Sequence, residues 1–491
     1  MAIRTGQQYL DGLRKTERDV WVGDEKIESV ADHPLLSGAA KSIAGYFDLR
    51  HAEPEVMTTT DPDNGERIGW SHVLPRSVDD LRQRGEAFQL AAELSMGVMG
   101  RTPDYMNATF AGFASDRTRW AGPDDSNAEG YKNLVAFQRR LRRDDLSLTH
   151  TIVHPTVDKA TDGVYENNPV PLHKVDETTD SIIVRGGRML ASLAPFADEQ
   201  TVYPGAPLPP DGPPEYALAF TIAMDAPGLV FLCRDTGSRE AAAFDAPFST
   251  RFDEQDAYCI FDDVEIPKAN LFINGNIDTY NSVMLKSPWW QNVMQQTTIR
   301  ALTKMEFLYR LAGRMAEAVN DNSEKTMDLL GEIHTYVEMT RSALVASIDH
   351  AETWDDGGVF PEGRAVHPVR ALMPKWMVRI NEILKTIGGA NLLAAPSRAQ
   401  LDDPRIAALA QELLPGANGM AASDRSEIFR VAWDFIGSAL GSRNELYERH
   451  YLGSPLRTHT SIERFYSTAT RARGDELLEK VLADNRSRQQ R

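Results

Sequence analysis

Cysteine is nearly absent from this chain: only Cys233 and Cys259 occur in 491 residues. Two cysteines allow one bridge at most, so a secreted disulfide framework is not indicated. They also cannot supply a four-cysteine zinc or iron–sulfur site. Positive charge is in short supply as well. The chain has 53 basic against 71 acidic residues, a formal net charge of −18. Such a surface repels nucleic acid and anionic membrane, and neither is an expected partner. Long apolar runs are missing, and no stretch approaches the roughly 20 residues of a membrane span. The opening "MAIRTGQQYLDGLRK" lacks the apolar core of a signal peptide. The expectation is a soluble cytoplasmic protein with reduced thiols.

Familiar chemical motifs are missing too. No G-x-G-x-x-G follows a strand, and no P-loop, H-E-x-x-H or G-x-S-x-G elbow occurs. A Rossmann site, a phosphate-loop enzyme, a zinc protease and an α/β-hydrolase are therefore disfavoured, and no metal site is expected.

What is present falls into three textures. Residues 1–145 read as mostly helical. Within them "SVDDLRQRGEAFQLAAELSMGVMG" starts on Ser77, a good N-cap, with Asp79 and Asp80 in the first turn. Residues 146–275 alternate in short β-runs separated by turns, among them "EYALAFTIAM", "GLVFLCRD" and "DAYCIFDDVEIP". There "DSIIVRGGRMLASLA" reads as two runs joined by a Gly-Gly turn, and the block as an antiparallel, barrel-like β domain. Residues 276–491 return to long amphipathic helices, which suggests a bundle with a charged tail. The length suits two or three domains.

Three stretches could carry chemistry. In "GRTPDYMNATF", Arg101 and Tyr105 stand four apart and would be neighbours on a helix. A guanidinium beside a phenol can hold an oxyanion. The plainer reading pairs Arg101 with Asp104 and makes Pro103 a helix starter. In "LSLTHTIVHPTVDK", alternation puts Leu146, Leu148, His150, Ile152 and His154 on one side of a strand that Pro155 ends. A histidine there is either a satisfied core residue or a group awaiting a ligand. In "FIGSALGSRNELYE", small residues and free N–H groups beside Arg443 suit a pyrophosphate, or serve close helix packing.

Together with "RTGQQYLDGLR", "STRFDEQDAYCIFDDVEIPKANLF", "GANGM" and "WDFIGSALGSRNELYERHYLGS", these stretches run in order along nearly the whole chain. In that order the sequence resembles the large component of the 4-hydroxyphenylacetate 3-monooxygenase family, which includes chlorophenol and nitrophenol monooxygenases. The resemblance implies an α+β, acyl-CoA-dehydrogenase-like flavoprotein fold: an N-terminal helical domain, a middle antiparallel β domain and a C-terminal helical bundle. It implies a two-component system in which an NAD(P)H-dependent flavin reductase supplies FAD as FADH2. With O2 the flavin forms a C4a-hydroperoxide that hydroxylates a phenol ortho to its hydroxyl. Oxidative dehalogenation or denitration of a para-substituted phenol starts from the same intermediate and remains the alternative. The phenol is a free small molecule or carrier-bound, and a homotetramer or homodimer is implied.

Residue by residue, the resemblance makes Arg101, Tyr105 and His150 catalytic and places them around the phenol oxygen. It puts Pro204 and Gly205 beside the substrate as well. It assigns flavin to His150, Thr151, Ile152, Thr156, Val157, Asp158, Lys159, Ser192, Leu440, Gly441, Ser442 and Arg443. Ser192 falls where the family usually has threonine near flavin N5. Leu193 and Ala194 make that wall greasier than usual. The loop from Val202 to Tyr216, "VYPGAPLPPDGPPEY", departs from the 4-hydroxyphenylacetate enzymes by its prolines, which stiffen it and remove donors. Among rivals of this architecture, a dehydratase needs cluster cysteines that are lacking. A dehydrogenase needs a catalytic carboxylate in place of the Arg–Tyr–His set. A non-enzymatic helical scaffold would leave that set a coincidence.

Overall fold

A computed structural model describes residues 3–157, 168–237, 242–284, 288–354 and 357–489. Helices and sheet follow the expected α+β order, but the three segments share one buried core. It runs from Tyr9 and Val20 through Phe231 and Cys259 to Met305, Ile380 and Phe435.

The N-terminal helices form where capping and apolar spacing agree. Helix Val78–Glu93 is closed by a capping box, with Asp80 N–H donating to Ser77 Oγ (3.0 Å) and Ser77 N–H to Asp80 Oδ2 (3.1 Å). Helix Pro103–Ser115 starts on Pro103, and every residue from Pro103 to Phe113 is buried. A helix buried all round lies inside the molecule. It packs on the 31-residue helix Pro288–Ala318, about 46 Å long. The helix Glu324–Asp349 and the helix Gly363–Gly388 complete the bundle beside it. Arg84, fully buried, ties Val78–Glu93 to the long helix through Asn292 and Gln295.

Among the described residues the sheet has ten strands and is mixed, not wholly antiparallel as expected. Leu148–Thr151 runs parallel to Glu199–Val202, and Asp19–Val22 runs parallel to Leu229–Cys233. The second pair exists because Asp19–Val22 and Glu25–Lys26 enter from the N-terminal segment and extend one edge. The hydrogen-bonded order among the described residues ends at Leu271–Asn274 on one side and Glu25–Lys26 on the other, so the sheet is open rather than barrel-like.

The Gly-Gly pair is not a turn. Gly186 and Gly187 lie inside one twelve-residue strand, Ser181–Ser192. Gly186 has φ +118°, and a Cβ there would stand 2.5 Å from the Pro171 carbonyl oxygen; a Cβ on Gly187 would strike the Tyr258 hydroxyl. The glycines make room for close neighbours in a continuous strand. Cys233 and Cys259 are free, and burial pushes the Cys233 thiol up to about 12 and that of Cys259 higher still. They are inert thiols.

Candidate active site

Arg101 precedes the helix rather than riding on it. Thr102 is the N-cap, and Pro103 holds it in an extended conformation (ψ 154°). The chain therefore bends at Thr102, and the Arg101 side chain folds back onto the helix. Its Cζ lies 3.9 Å from the centroid of the Tyr105 ring. The pairing expected from helical spacing is thus a cation–π contact over a turn. The alternative partner, Asp104, is turned away: its Oδ2 accepts from Gln296 Nε2 at 3.3 Å.

Glu254 fixes this bend. Its carboxylate accepts from the backbone N–H of Gly100 (2.9 Å) and Arg101 (3.1 Å). A Cβ on Gly100 would collide with the Tyr447 hydroxyl, so glycine is needed there. Arg101 is only 7% exposed, and the direct acceptor of its guanidinium among the described residues is the Gly100 carbonyl at 3.3 Å. No carboxylate lies within ion-pair distance of it among the described residues. Burial works against its charge, but Tyr105, Tyr447 and Glu254 more than offset this, and the group stays protonated. An aromatic wall closes the space around it, with Tyr447 at 5.4 Å and Tyr451 at 5.6 Å.

His150 is the centre of a three-ring stack. Tyr105 lies 5.6 Å away on one side, and Tyr203 lies 5.3 Å away, nearly coplanar at 10°, on the other. Its Nδ1 is buried without a partner among the described residues. Burial, then the Arg101 charge, pushes its pKa well below the usual histidine value. A neutral imidazole results, suited to accept or donate a hydrogen bond. Strand Leu148–Thr151 is shorter than the expected run to His154, so the shared face is limited to Leu148 and His150.

The backbone of His150 pairs with Ser192 across the sheet. This register brings the expected phenol residue beside the expected flavin residue. Ser192 Oγ donates to Asp256 Oδ1 at 2.5 Å. Its proton is therefore committed, while its oxygen keeps lone pairs that can accept from an N–H group. The backbone around it is strained: Leu190, Leu193 and Gln255 have φ of 64°, 72° and 42°. Leu193 N–H donates to the carbonyls of Glu254 and Gln255, both at 2.9 Å.

Arg443, expected beside the flavin phosphates or ribose, meets two carboxylates. Its Nε and Nη2 donate to Asp256 at 2.6 and 2.7 Å, and its Nη1 to Glu254 at 3.1 Å. Burial raises the Asp256 carboxyl, but Arg443 and Arg234 win and hold it well below its ordinary value. All three nitrogens are spoken for, so Arg443 is a strut between helix Ala439–His450 and the sheet. In that helix Leu440 is fully buried, Gly441 donates to the Ser438 cap at 3.0 Å, and Ser442 is exposed. Thr151 is buried with its hydroxyl on the Met189 carbonyl at 2.8 Å, Ile152 is half-buried, and Thr156 and Val157 are exposed. Asp158 and Lys159 lie outside the described residues.

Pro204 and Gly205 sit directly after Tyr203. A Cβ on Gly205 would strike the Ile152 carbonyl, so this loop presses on the end of the histidine strand. Leu208 is clasped by Asn281 in both directions, at 2.8 and 2.9 Å, and is buried in the cluster that holds Tyr105 and Tyr203. The proline-rich segment is a fixed wall here. Sequence reasoning missed Tyr203, Glu254, Asp256, Tyr447 and Tyr451 as site residues. The latter four stand inside motifs already singled out, and the carboxylates of "FDEQD" were the available signal.

A flavin fits the donor set at Ser192, where an acceptor oxygen is held in place beside strained backbone. Residues 5–273 match the N-terminal model of 4-hydroxyphenylacetate 3-hydroxylase, and residues 281–476 its C-terminal model. The chain is 33% identical over 94% of its length, and 95% of the relative's, to a 4-hydroxyphenylacetate 3-monooxygenase oxygenase component of Thermus thermophilus. It is 31% identical over 98% of its length, and 91% of the relative's, to the oxygenase component of a 4-nitrophenol 2-monooxygenase of Rhodococcus. A crystal structure of an oxygenase component of 4-hydroxyphenylacetate 3-monooxygenase, complexed with FAD and 4-hydroxyphenylacetate, superposes with a TM-score of 0.91 at 32% identity. It covers 98% of this chain and 99% of that one. The chain belongs to the 4-hydroxyphenylacetate 3-hydroxylase family.

Proposed function

We propose that this protein is the oxygenase component of a two-component aromatic monooxygenase, acting on a phenol with O2 and reduced FAD from a separate NAD(P)H-dependent flavin reductase. The balance is phenol, O2 and FADH2 giving catechol, water and FAD. The flavin and O2 supply the oxygen chemistry when bound. The observation that carries the reading is Arg101: a buried cation that makes no direct ion pair among the described residues, stacked on Tyr105, with a neutral His150 whose strand pairs with Ser192.

An unpaired buried guanidinium is costly and favours an anionic guest. A phenol ordinarily ionises near 10. Arg101 lowers that value by stabilising the phenolate, and Tyr105 and His150 hydrogen-bond the oxygen. Charge pushed into the ring makes the ortho carbon the better nucleophile. The backbone of His150–Ile152, Thr156, Val157, Ser192 and Leu440–Ser442 would line the flavin side. Arg443 acts there through Asp256 and Ser192. Pro204, Gly205 and Leu208 close the far end of the phenol with a rigid, apolar wall. That wall favours no carboxylate arm and supports a para-nitro or para-halo phenol, displaced rather than only hydroxylated, as the second reading. Large apolar side chains exposed in the C-terminal half, such as Leu393, Leu413 and Leu456, support a homotetramer or homodimer.

A panel of phenols with a flavin reductase and NADH tests this. Catechol from 4-hydroxyphenylacetate, or nitrite and quinone from 4-nitrophenol, is expected. Arg101→Met and His150→Ala should each lower product by about 100-fold to 1,000-fold while NADH oxidation continues. No product from any phenol would overturn the reading.

A further inference from the structure

The turn that follows Ser192 is held from two sides. Residues Leu193 to Ala197 are all buried, with Leu193 at φ 72° and a single tight helical turn from Ala194 to Phe196. The sheet holds one side. Thr149 Oγ1 donates to the Ser192 carbonyl at 2.7 Å, and Leu193 N–H donates to the Glu254 and Gln255 carbonyls. The N-terminal segment holds the other side. Arg18 Nη1 donates to the carbonyls of Pro195 (2.8 Å) and Ala197 (2.5 Å). The Tyr9 hydroxyl donates to the Phe196 carbonyl between them at 2.7 Å. Two side chains thus take three consecutive carbonyls. The next residue, Asp198, accepts from Arg4 Nη2 at 2.8 Å and from Ser147 N–H at 2.7 Å.

Tyr9 stands on the capped helix Gly6–Lys15, fully buried and stacked on Phe47 at 4.9 Å. Burial raises its ionisation well above the ordinary value, so it stays a donor. Arg18 is buried as well. Burying a guanidinium is costly, and this one is spent on the backbone of a single turn. A buried carbonyl left without a donor is costly too. A non-glycine residue at positive φ persists only where its surroundings over-determine it. Leu193 is such a residue, and it adjoins Ser192. We propose that Arg18, with Tyr9, is a positioning residue of the flavin side: it braces the turn after Ser192, and so keeps the Ser192 oxygen where it accepts from the flavin. Without the brace, the three carbonyls turn toward water, Leu193 relaxes, and Ser192 moves with it. The proposal rests on the flavin reading of Ser192 given above.

The test joins two measurements on the full-length protein. The first is amide hydrogen exchange without flavin, read on peptides spanning residues 190–198. Arg18→Met should exchange there about tenfold faster than wild type, while peptides from the helix Pro288–Ala318 keep their rate. The second is hydrogen peroxide released per NADH with a flavin reductase and a phenol. It should rise about threefold to tenfold in Arg18→Met, with KM for the phenol unchanged, and Arg18→Lys should restore most of the coupling. Tyr9→Phe removes one hydroxyl and should move both readouts in the same direction by less. If Arg18→Met exchanges faster throughout, Tyr9→Phe decides. Unchanged exchange at 190–198 in Arg18→Met or, where it decides, Tyr9→Phe would overturn the proposal. So would faster exchange with wild-type peroxide yield, provided Ser192→Ala raises that yield. If Ser192→Ala leaves the yield at wild type, the flavin reading of Ser192 fails instead, and this proposal with it.

Discussion

Tyr203 lies flat against His150, ring centroids 5.3 Å apart and planes 10° apart, although it follows a different strand from the one that holds His150. The contact follows from the parallel pairing of Leu148–Thr151 with Glu199–Val202, which aligns His150 with Thr201. Tyr203 follows that strand and enters the pocket from the far side. Burial, then Tyr105, raises its own ionisation well above the ordinary value, so it stays a neutral donor.

Tyr203 therefore holds the imidazole plane. Tyr203→Leu should keep the fold and cost about 0.5–1.5 kcal/mol of stacking. The resulting freedom of His150 should lower kcat/KM for the phenol by roughly tenfold. Steady-state kinetics decide; an unaltered kcat/KM would mean that Tyr203 only fills space.

Ser192 donates to Asp256, and its oxygen is left able to accept from the flavin. In Ser192→Ala the acceptor is lost and Asp256 keeps its two arginines. Hydrogen peroxide released per NADH consumed should rise severalfold while substrate affinity stays put. Ser192→Thr should retain coupling. A peroxide yield in Ser192→Ala equal to wild type would remove Ser192 from the flavin side.

Arg443 is a strut whose loss strands two carboxylates. Arg443→Met leaves Glu254 and Asp256 buried beside fewer cations, which costs about 3–5 kcal/mol. Urea denaturation should show this loss in flavin-free protein. Weaker reduced-FAD binding with no loss of stability would instead return Arg443 to the phosphates.

Acid should destabilise the fold through its buried histidines. His150 and His367 have pKa values lowered by burial first and by a neighbouring arginine second, His367 to about 4. An unfolded histidine takes up its proton near 6.5. Below that pH the unfolded chain binds protons that the folded chain refuses, so stability is complete above about 6.5 and falls as pH drops. For His367 the fall continues to about 4. Unfolding free energies at pH 7.5 and 5 should differ less in His367→Asn than in wild type. Equal differences would show that His367 takes up its proton in the fold as readily as out of it.

The sequence by itself determined the order of helices, sheet and bundle, because capping residues and apolar spacing are local. Ser77 capped its helix as its neighbours required, and the strands around Phe220, Phe231 and Phe261 formed where alternation put them. It also offered Arg101, Tyr105 and His150 as candidates, because their motifs are contiguous, while Ser192 came from the family resemblance alone. Tertiary structure decided what each of these touches. Gly186 and Gly187 look like a turn until Pro171 and Tyr258 press against them. The carboxylates that Arg443 meets come from "FDEQD", nearly two hundred residues earlier. Partners of buried charges are chosen by long-range packing, and a buried ion's role depends on whether packing brings it a counter-charge. Arg443 received two in direct contact, whereas Arg101 makes no direct ion pair among the described residues, and no local pattern in the chain records that difference.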